Sequence, residues 1–337
     1  MRRVLLGFFL TVIVVGLAGV AVLVDAHRQL QAPLAIAAPS RVELPPGSRM
    51  RDAVAALEQR GFFANARQPL YLEVLARATG EASRIKAGEY ALEPGLTARG
   101  VLGLWVSGKT VLHELRIIEG IRFDTAMKLL AAHAEVAHTL KDLSGAAVMT
   151  AIGRAGDPWE GRFFPDTYRF TKGTTDLDIL KRAYAAMETE LAKAWEGRAP
   201  DLPYATPAEA LTMASIVEKE TGVPEERTRV AGVFVRRLKT GMRLQTDPTL
   251  IYGLGDAFDG NLRKRDLIAD GPYNSYLRAG LPPTPICLPG RASIEAALHP
   301  AEGTELYFVA RGDGTHQFST TIEEHEAAVR KYQLKGG

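Results

Sequence analysis

From Val4 to Val24 the chain carries no charged residue, an apolar run of about 21 residues that would be roughly 31 Å long as a helix. That is enough to cross the hydrocarbon of a bilayer. Arg2 and Arg3 precede the run and only His27 and Arg28 follow closely. The positive-inside rule therefore predicts residues 1–3 in the cytoplasm, residues 4–24 as a single transmembrane helix and the rest on the far side. A cleavable leader competes, because Val24-Asp25-Ala26 could serve as a processing site, although the run exceeds the ~7 to 15 apolar residues of a usual signal core. On either reading the folded part is exported. Residues 25–40 carry Ala, Pro and Gln without a period and read as a linker.

Several function classes drop out early. A formal charge of +2 over 337 residues makes no case for nucleic acid. Cys287 is the only cysteine, so there is no intramolecular disulfide and no CxxC redox or zinc site. His133 and His138 are five apart and no HExxH occurs; neither a metal nor another cofactor is expected. No GxSxG elbow marks a nucleophile.

The length left after the membrane run suits two ordinary domains, and the patterning predicts an α+β fold for both. Residues 41–112 read as a small αβ module. Arg41–Pro46 alternates as a strand, Met50–Arg60 and Leu70–Ala78 read as helices, Gly88–Leu92 as a second strand and Ala98–Val106 as a third helix. Gly103-Leu-Trp-Val-Ser-Gly-Lys-Thr110 matches the phosphate-loop pattern letter for letter. Its bulky Leu104, Trp105 and Val106, and its place at the end of a helix, exclude that reading. Residues 113–337 read as a larger α+β domain that begins with the strand Leu115–Gly120.

In that domain one helix carries chemistry. Thr206 caps it with Glu209 in a capping box, Pro207 takes its first position, and Gly222 and Pro224 are expected to stop it. At about 100° per residue, Ala210, Leu211, Met213, Ala214 and Val217 form one apolar arc, and Glu218 falls within it. A carboxyl aimed at apolar walls is short of solvation for its charged form, which suits a general acid; a structural ion pair with an Arg is the competing reading. Glu220 projects nearer the edge of the arc, and Lys219 points outward.

Three loop clusters follow the same logic. Glu160–Tyr168 mixes acid, aromatics and a turn. Leu244–Tyr252 places Gln245, Thr246, Asp247 and Tyr252 in a short stretch. Gly271–Gly290 is too rich in Pro and Gly for regular structure, while its Tyr, Leu and Ile argue against disorder. His316 falls in an expected hairpin turn, from which it can reach a site or stay on the surface.

Together, Ala214-Ser-Ile-Val-Glu-Lys-Glu220, Phe164-Pro-Asp-Thr-Tyr168, Leu244-Gln-Thr-Asp-Pro248, Pro272-Tyr-Asn-Ser-Tyr276, Gly280-Leu-Pro-Pro283 and Gly314-Thr-His-Gln-Phe318 resemble the endolytic murein transglycosylase, or YceG-like, family. The resemblance covers nearly the whole exported chain, and the first module resembles a LysM-like domain. It implies a bacterial inner-membrane lyase that cuts the MurNAc-GlcNAc β-1,4 bond inside peptidoglycan strands and leaves 1,6-anhydro-MurNAc ends. It also implies an effect on nascent strand growth and association with the synthases of cell elongation. The family's catalytic glutamate maps onto Glu218, with Gln245, Asp247, Tyr252, Tyr273 and Asn274 expected to position the sugar. Gly271, Ser275, Thr284 and Leu288 depart from the family's usual residues, which bears on substrate fit more than on chemistry.

The chemistry itself needs only one carboxyl. The nucleophile is the sugar's own C6 hydroxyl, already tethered to the reacting ring, so one acid can protonate the leaving oxygen and then deprotonate O6. Two alternatives remain at this point: a non-catalytic peptidoglycan-binding anchor, and a hydrolytic muramidase with Asp247 as the second carboxyl.

Overall fold

The structure, a computed structural model, describes residues 2–333. The charges that orient residues 1–3, and residues 334–337 of the second domain, lie outside the described residues. The first helix, α1 (Arg2–Gln31), contains a stretch long and apolar enough to cross a membrane, and its side chains from Leu5 to Val24 are exposed. This is compatible with a single-pass anchor or a signal sequence.

The linker expected at residues 25–40 is corrected in part. The helix continues to Gln31, because extending a formed helix costs far less than starting one. Asp25 then accepts from the Arg67 guanidinium at 3.0 Å and from the Tyr71 hydroxyl at 2.9 Å, while Leu30, Leu34 and Ile36 enter a hydrophobic core.

The chain divides into two compact units. The first takes in the chain up to His113 together with Phe170–Gly173; the second comprises Glu114–Arg169 and the chain from Thr174 on.

After α1, the first unit runs β1 (Ser40–Leu44), α2 (Met50–Gln59), α3 (Arg67–Ala78), β2 (Gly88–Leu92) and α4 (Ala98–Ser107). Strands β1 and β2 pair antiparallel, Ser40 opposite Leu92 and Leu44 opposite Gly88, so Val42 and Leu44 face inward. Leu57, Leu72, Tyr90 and Trp105 fill the space behind them. Gly108, at φ 71°, ends α4, and with Trp105 fully buried the phosphate-loop pattern closes a helix as expected.

Strand β3 (His113–Arg116) pairs with β4 (Thr167–Phe170), all but the first residue of β3 and the last of β4 falling in the second unit, and α5 (Phe123–Ala131) and α6 (Gly145–Ala151) lie between them in sequence. Four helices build the core: α7 (Asp176–Glu196), α8 (Pro207–Glu220), α9 (Arg227–Lys239) and, beyond the short α10 (Asp247–Leu254) and α11 (Lys264–Ile268), α12 (Arg291–Leu298). The chain from Ala269 to Gly290 has no regular structure. A hairpin of β5 (Tyr307–Ala310) and β6 (His316–Ser319) precedes α13 (Ile322–Tyr332).

Helix α8 is the axis of this core. Thr206 and Glu209 form the expected capping box with Pro207 at the first turn. Every residue from Ala210 to Val217 is buried, against the single apolar face expected, because α7, α9, α10 and α12 surround it. Its buried hydroxyls are satisfied locally: Thr212 donates to Ala208 O and Ser215 to Thr212 O. The helix stops at an extended Thr221, not at a left-handed Gly222.

Candidate active site

The irregular strip before α12 is fastened along α8. Ile286 N–H donates to Ser215 Oγ at 3.0 Å, the Cys287 thiol donates to Ser215 O at 3.3 Å, and Gly290 N–H donates to Glu218 Oε2 at 3.0 Å. Glu218 is half-buried at the end of this strip. Opposite lies the turn after β3. Gly120 N–H donates to Leu288 O and Leu288 N–H to Ile121 O, both at 2.8 Å. Gly120 adopts φ 76°, and a Cβ there would stand 3.6 Å from Glu218 Cγ. The turn thus brings backbone against the carboxyl, and its left-handed φ is what makes the position one for glycine, since a Cβ there would make only ordinary contact.

A second carboxyl belongs to this corner. Glu119 lies against Gly290 so closely that a Cβ on that glycine would overlap its carboxyl. Partial loss of solvation, then the Glu218 charge, raise Glu119 above the usual carboxylate range, and Arg227 opposes the rise. Cys287, on the same strip, is no nucleophile, since burial pushes its thiol well up.

Two residues along the turn, the Arg122 guanidinium lies 4.8 Å from the Tyr252 ring centre, and Tyr252 meets Tyr273 edge-on at 4.8 Å. The Tyr252 hydroxyl donates to Glu160 Oε2 at 3.2 Å and Phe123 N–H donates to Glu160 Oε1 at 2.9 Å. Glu160 is 5% exposed; burial pushes its carboxyl up to about 7 against the pull of Phe123, Tyr252 and Arg122. Residues 119–123 therefore touch the Glu218 corner at one end and the Tyr252–Tyr273 pair at the other.

Glu220 leaves α8 about 200° around from Glu218 and enters different surroundings. It accepts from the Thr246 hydroxyl and lines a cavity of about 400 Å³ with Gln245, Asp247, Tyr276, Arg237 and His316. Burial pushes it up to about 7, and Asp247 adds to the rise while Thr246, His316 and Arg237 oppose it. The Tyr276 hydroxyl donates to Asp247 Oδ1 at 2.5 Å. His316 opens β6, donates its backbone N–H to Glu226 Oε1 at 2.9 Å, and sets its ring Nδ1 2.7 Å from Glu226 Oε2. Gln245 is exposed and held at φ 50°, a conformation that non-glycine residues adopt rarely.

The expected positioning residues thus divide. Tyr252, with Tyr273 packed on it, adjoins the turn that meets Glu218, whereas Gln245 and Asp247 line the cavity of Glu220. Asn274 faces neither group. It is 2% exposed, its amide donates to Leu267 O and Ala269 O, and its Oδ1 accepts from Tyr276 N–H, so it holds its own loop together. Ser275 keeps the hydroxyl of the residue it replaces, accepting from Thr246 N–H at 3.0 Å, and Thr284 bonds the Tyr273 hydroxyl at 2.8 Å.

Glu119, Arg122, Glu226 and the tie of Glu160 to Phe123 and Tyr252 escape inspection of the sequence. One local signal was available: Glu119 and Glu160 each precede a glycine with a left-handed backbone, Gly120 and Gly161. An acid beside such a tight turn is exposed to whatever the turn approaches.

Fold and site together define an α+β chain whose second unit mounts carboxyls and tyrosines around one buried helix. Residues 42–331 match the YceG-like family, and the chain belongs to it. The endolytic murein transglycosylase of Bacillus subtilis strain 168 is 39% identical over 175 residues, which cover 52% of this chain and 48% of that protein. That of Streptococcus pneumoniae serotype 2 strain D39 is 32% identical over 179 residues, 51% of this chain and 32% of the relative. The chain thus spans about half the length of the first relative and a third of the second. The crystal structure of a putative yceG-like protein from Listeria monocytogenes is similar at a TM-score of 0.53 and 32% identity, over 86% of this chain and 98% of that one.

Proposed function

We propose that the protein is an endolytic peptidoglycan lytic transglycosylase in which Glu218 acts as general acid and then as general base. The observation that carries this reading is the Glu218 carboxyl, held by the Gly290 N–H and bordered by the bare backbone of Gly120. Oε2 is oriented by one backbone donor while Oε1 lies toward the turn. In the proposed step Glu218 enters protonated and gives its proton to the departing glycosidic oxygen as the C1–O bond breaks. The C6 hydroxyl of the muramyl ring then closes on C1, and the Glu218 carboxylate takes the O6 proton, which restores the acid. No water and no second nucleophile are consumed, because attack within one ring enjoys a high effective molarity.

Tyr252 and Tyr273 supply a wall on which a sugar can pack, and Gln245 and Asp247 contact a further part of the strand. Asn274 acts at one remove, through the loop that carries Tyr273. The β1-α2-α3-β2 order of the first unit supports a LysM-like, glycan-gripping role for it. With α1 as a membrane anchor and both units outside the cytoplasm, the enzyme would work where new strands leave their synthases, placed to end their growth.

The Glu220 cavity favours a second reading, in which Glu220 is the acid: it titrates near neutrality among sugar-sized polar surroundings. Mass spectrometry of digested sacculi decides between them. On the first reading Glu218→Gln yields no new anhydro ends, with fold and glycan binding intact, and Glu220→Gln still yields them. The opposite pattern moves the acid to Glu220. Reducing ends from the wild type would make the protein a muramidase, and binding without new ends would make it an anchor.

A further inference from the structure

The turn that borders Glu218 carries a carboxyl with no assigned part in the reaction. Glu119 and Glu218 both meet the same residue, Gly290: one fills the space that a Cβ there would take, the other accepts from its N–H. Among the described residues no hydrogen-bond donor reaches Glu119, which is exposed. Its neighbourhood is otherwise occupied. From α9, Arg227 faces it; from α8, Glu218 faces it, while the Lys219 ammonium donates to Gly120 O at 3.3 Å. Arg291, next to Gly290, is committed to Glu190 at 2.7 Å.

We propose that Glu119 is a second catalytic carboxylate, facing the positive charge that develops on the muramyl ring as the glycosidic bond breaks. This rests on the transglycosylase reading above. Bonds and protons move as described there; Glu119 exchanges no atom and supplies only a counter-charge. In the resting site, with Glu218 protonated, partial burial still disfavours its charged form and no hydrogen bond among the described residues supports it. Besides Arg227, it gains a cationic partner when the ring becomes charged, an interaction realised in the transition state and not in the ground state. Gly290 is part of the device, since any side chain there would displace the Glu119 carboxyl.

The test uses the full chain on isolated glycan strands. Glu119→Gln should lower kcat about 100-fold with KM and melting temperature nearly unchanged, the remaining product still carrying anhydro ends. Glu119→Asp, which keeps the charge, should recover part of the rate, and Gly290→Ala should resemble Glu119→Gln. Wild-type kcat in Glu119→Gln overturns the proposal while leaving the transglycosylase reading intact. So does a loss confined to KM, or one matched by a lower melting temperature in both Glu119 variants. A wild-type enzyme that makes no anhydro ends overturns both.

Discussion

The two sides of α8 present carboxyls to very different surroundings. Glu218 meets backbone: the Gly290 N–H and the glycine turn at Gly120. Glu220 meets side chains, with Thr246, Arg237, Asp247 and His316 around a cavity. Backbone contacts hold an acid at few points, whereas a mesh of hydroxyls and charges already satisfies much of the acid it encloses. The difference supports the proposal that Glu218 reacts, with Glu220 fixing the loop from Gln245 to Asp247. The largest expected effects follow from it. Glu218→Gln should cut the rate of anhydro-end formation by at least about 100-fold, in line with the loss of a general acid. Glu220→Gln should cost less than about 10-fold and act through the loop. A reversed ranking in single-turnover assays breaks the comparison.

The same two sides couple to pH with the same sign but through different carboxyls. Glu160, tied to the Glu218 side through Phe123 and Tyr252, is raised from 4.5 to about 7 in the folded protein. A carboxyl raised on folding binds its proton more tightly in the native state. Its contribution is therefore fully present below about pH 4.5 and is lost as pH rises through about 7. The shift corresponds to something on the order of 3 kcal/mol. Denaturant unfolding of wild type should show falling stability from about pH 5 to about pH 8, and Glu160→Gln should flatten much of that fall. Glu220, raised to about 7 as well, should contribute a decline of the same sign that Glu220→Gln removes. An unchanged slope in Glu160→Gln would mean that the carboxyl is solvated in the native protein.

What could be read in advance follows a physical divide. The first unit obeys local rules, and its strands and helices fall where alternation and periodicity place them, β2 from Gly88 to Leu92 among them. The N-terminus of α8 was equally legible, because a capping box is a property of four consecutive residues. The site was legible only in part. Glu218 announces itself on its own helix, but Glu119 reaches it from 99 residues away, through a turn fixed by Leu288, and no periodicity encodes that meeting. Asn274 shows the converse: its neighbours are site-like, yet its amide is spent on Leu267 and Ala269. The linker misjudged at residues 25–31 fails for a related reason, since Asp25 is ordered by partners at Arg67 and Tyr71.

The smallest effect tests whether α8 is only a rigid mount for its two acids. Thr206 caps the helix at the end far from Glu218, about 18 Å away at 1.5 Å per residue. Its side chain accepts from Glu209 N–H while the Glu209 carboxylate accepts from Thr206 N–H, and both residues are exposed. Thr206→Ala removes the first of these bonds without opening a cavity, so stability should fall by about 1 kcal/mol. Because the eight residues from Ala210 to Val217 are packed on every side, the loss should fray the first turn and leave the last turn in place. Turnover measured well below the melting temperature should then match wild type, for the Glu218 side and the Glu220 side alike. A matching fall in kcat would show that the first turn sets the pose of the carboxyls, and that the contrast between the two sides belongs to the whole helix and not to its final turn.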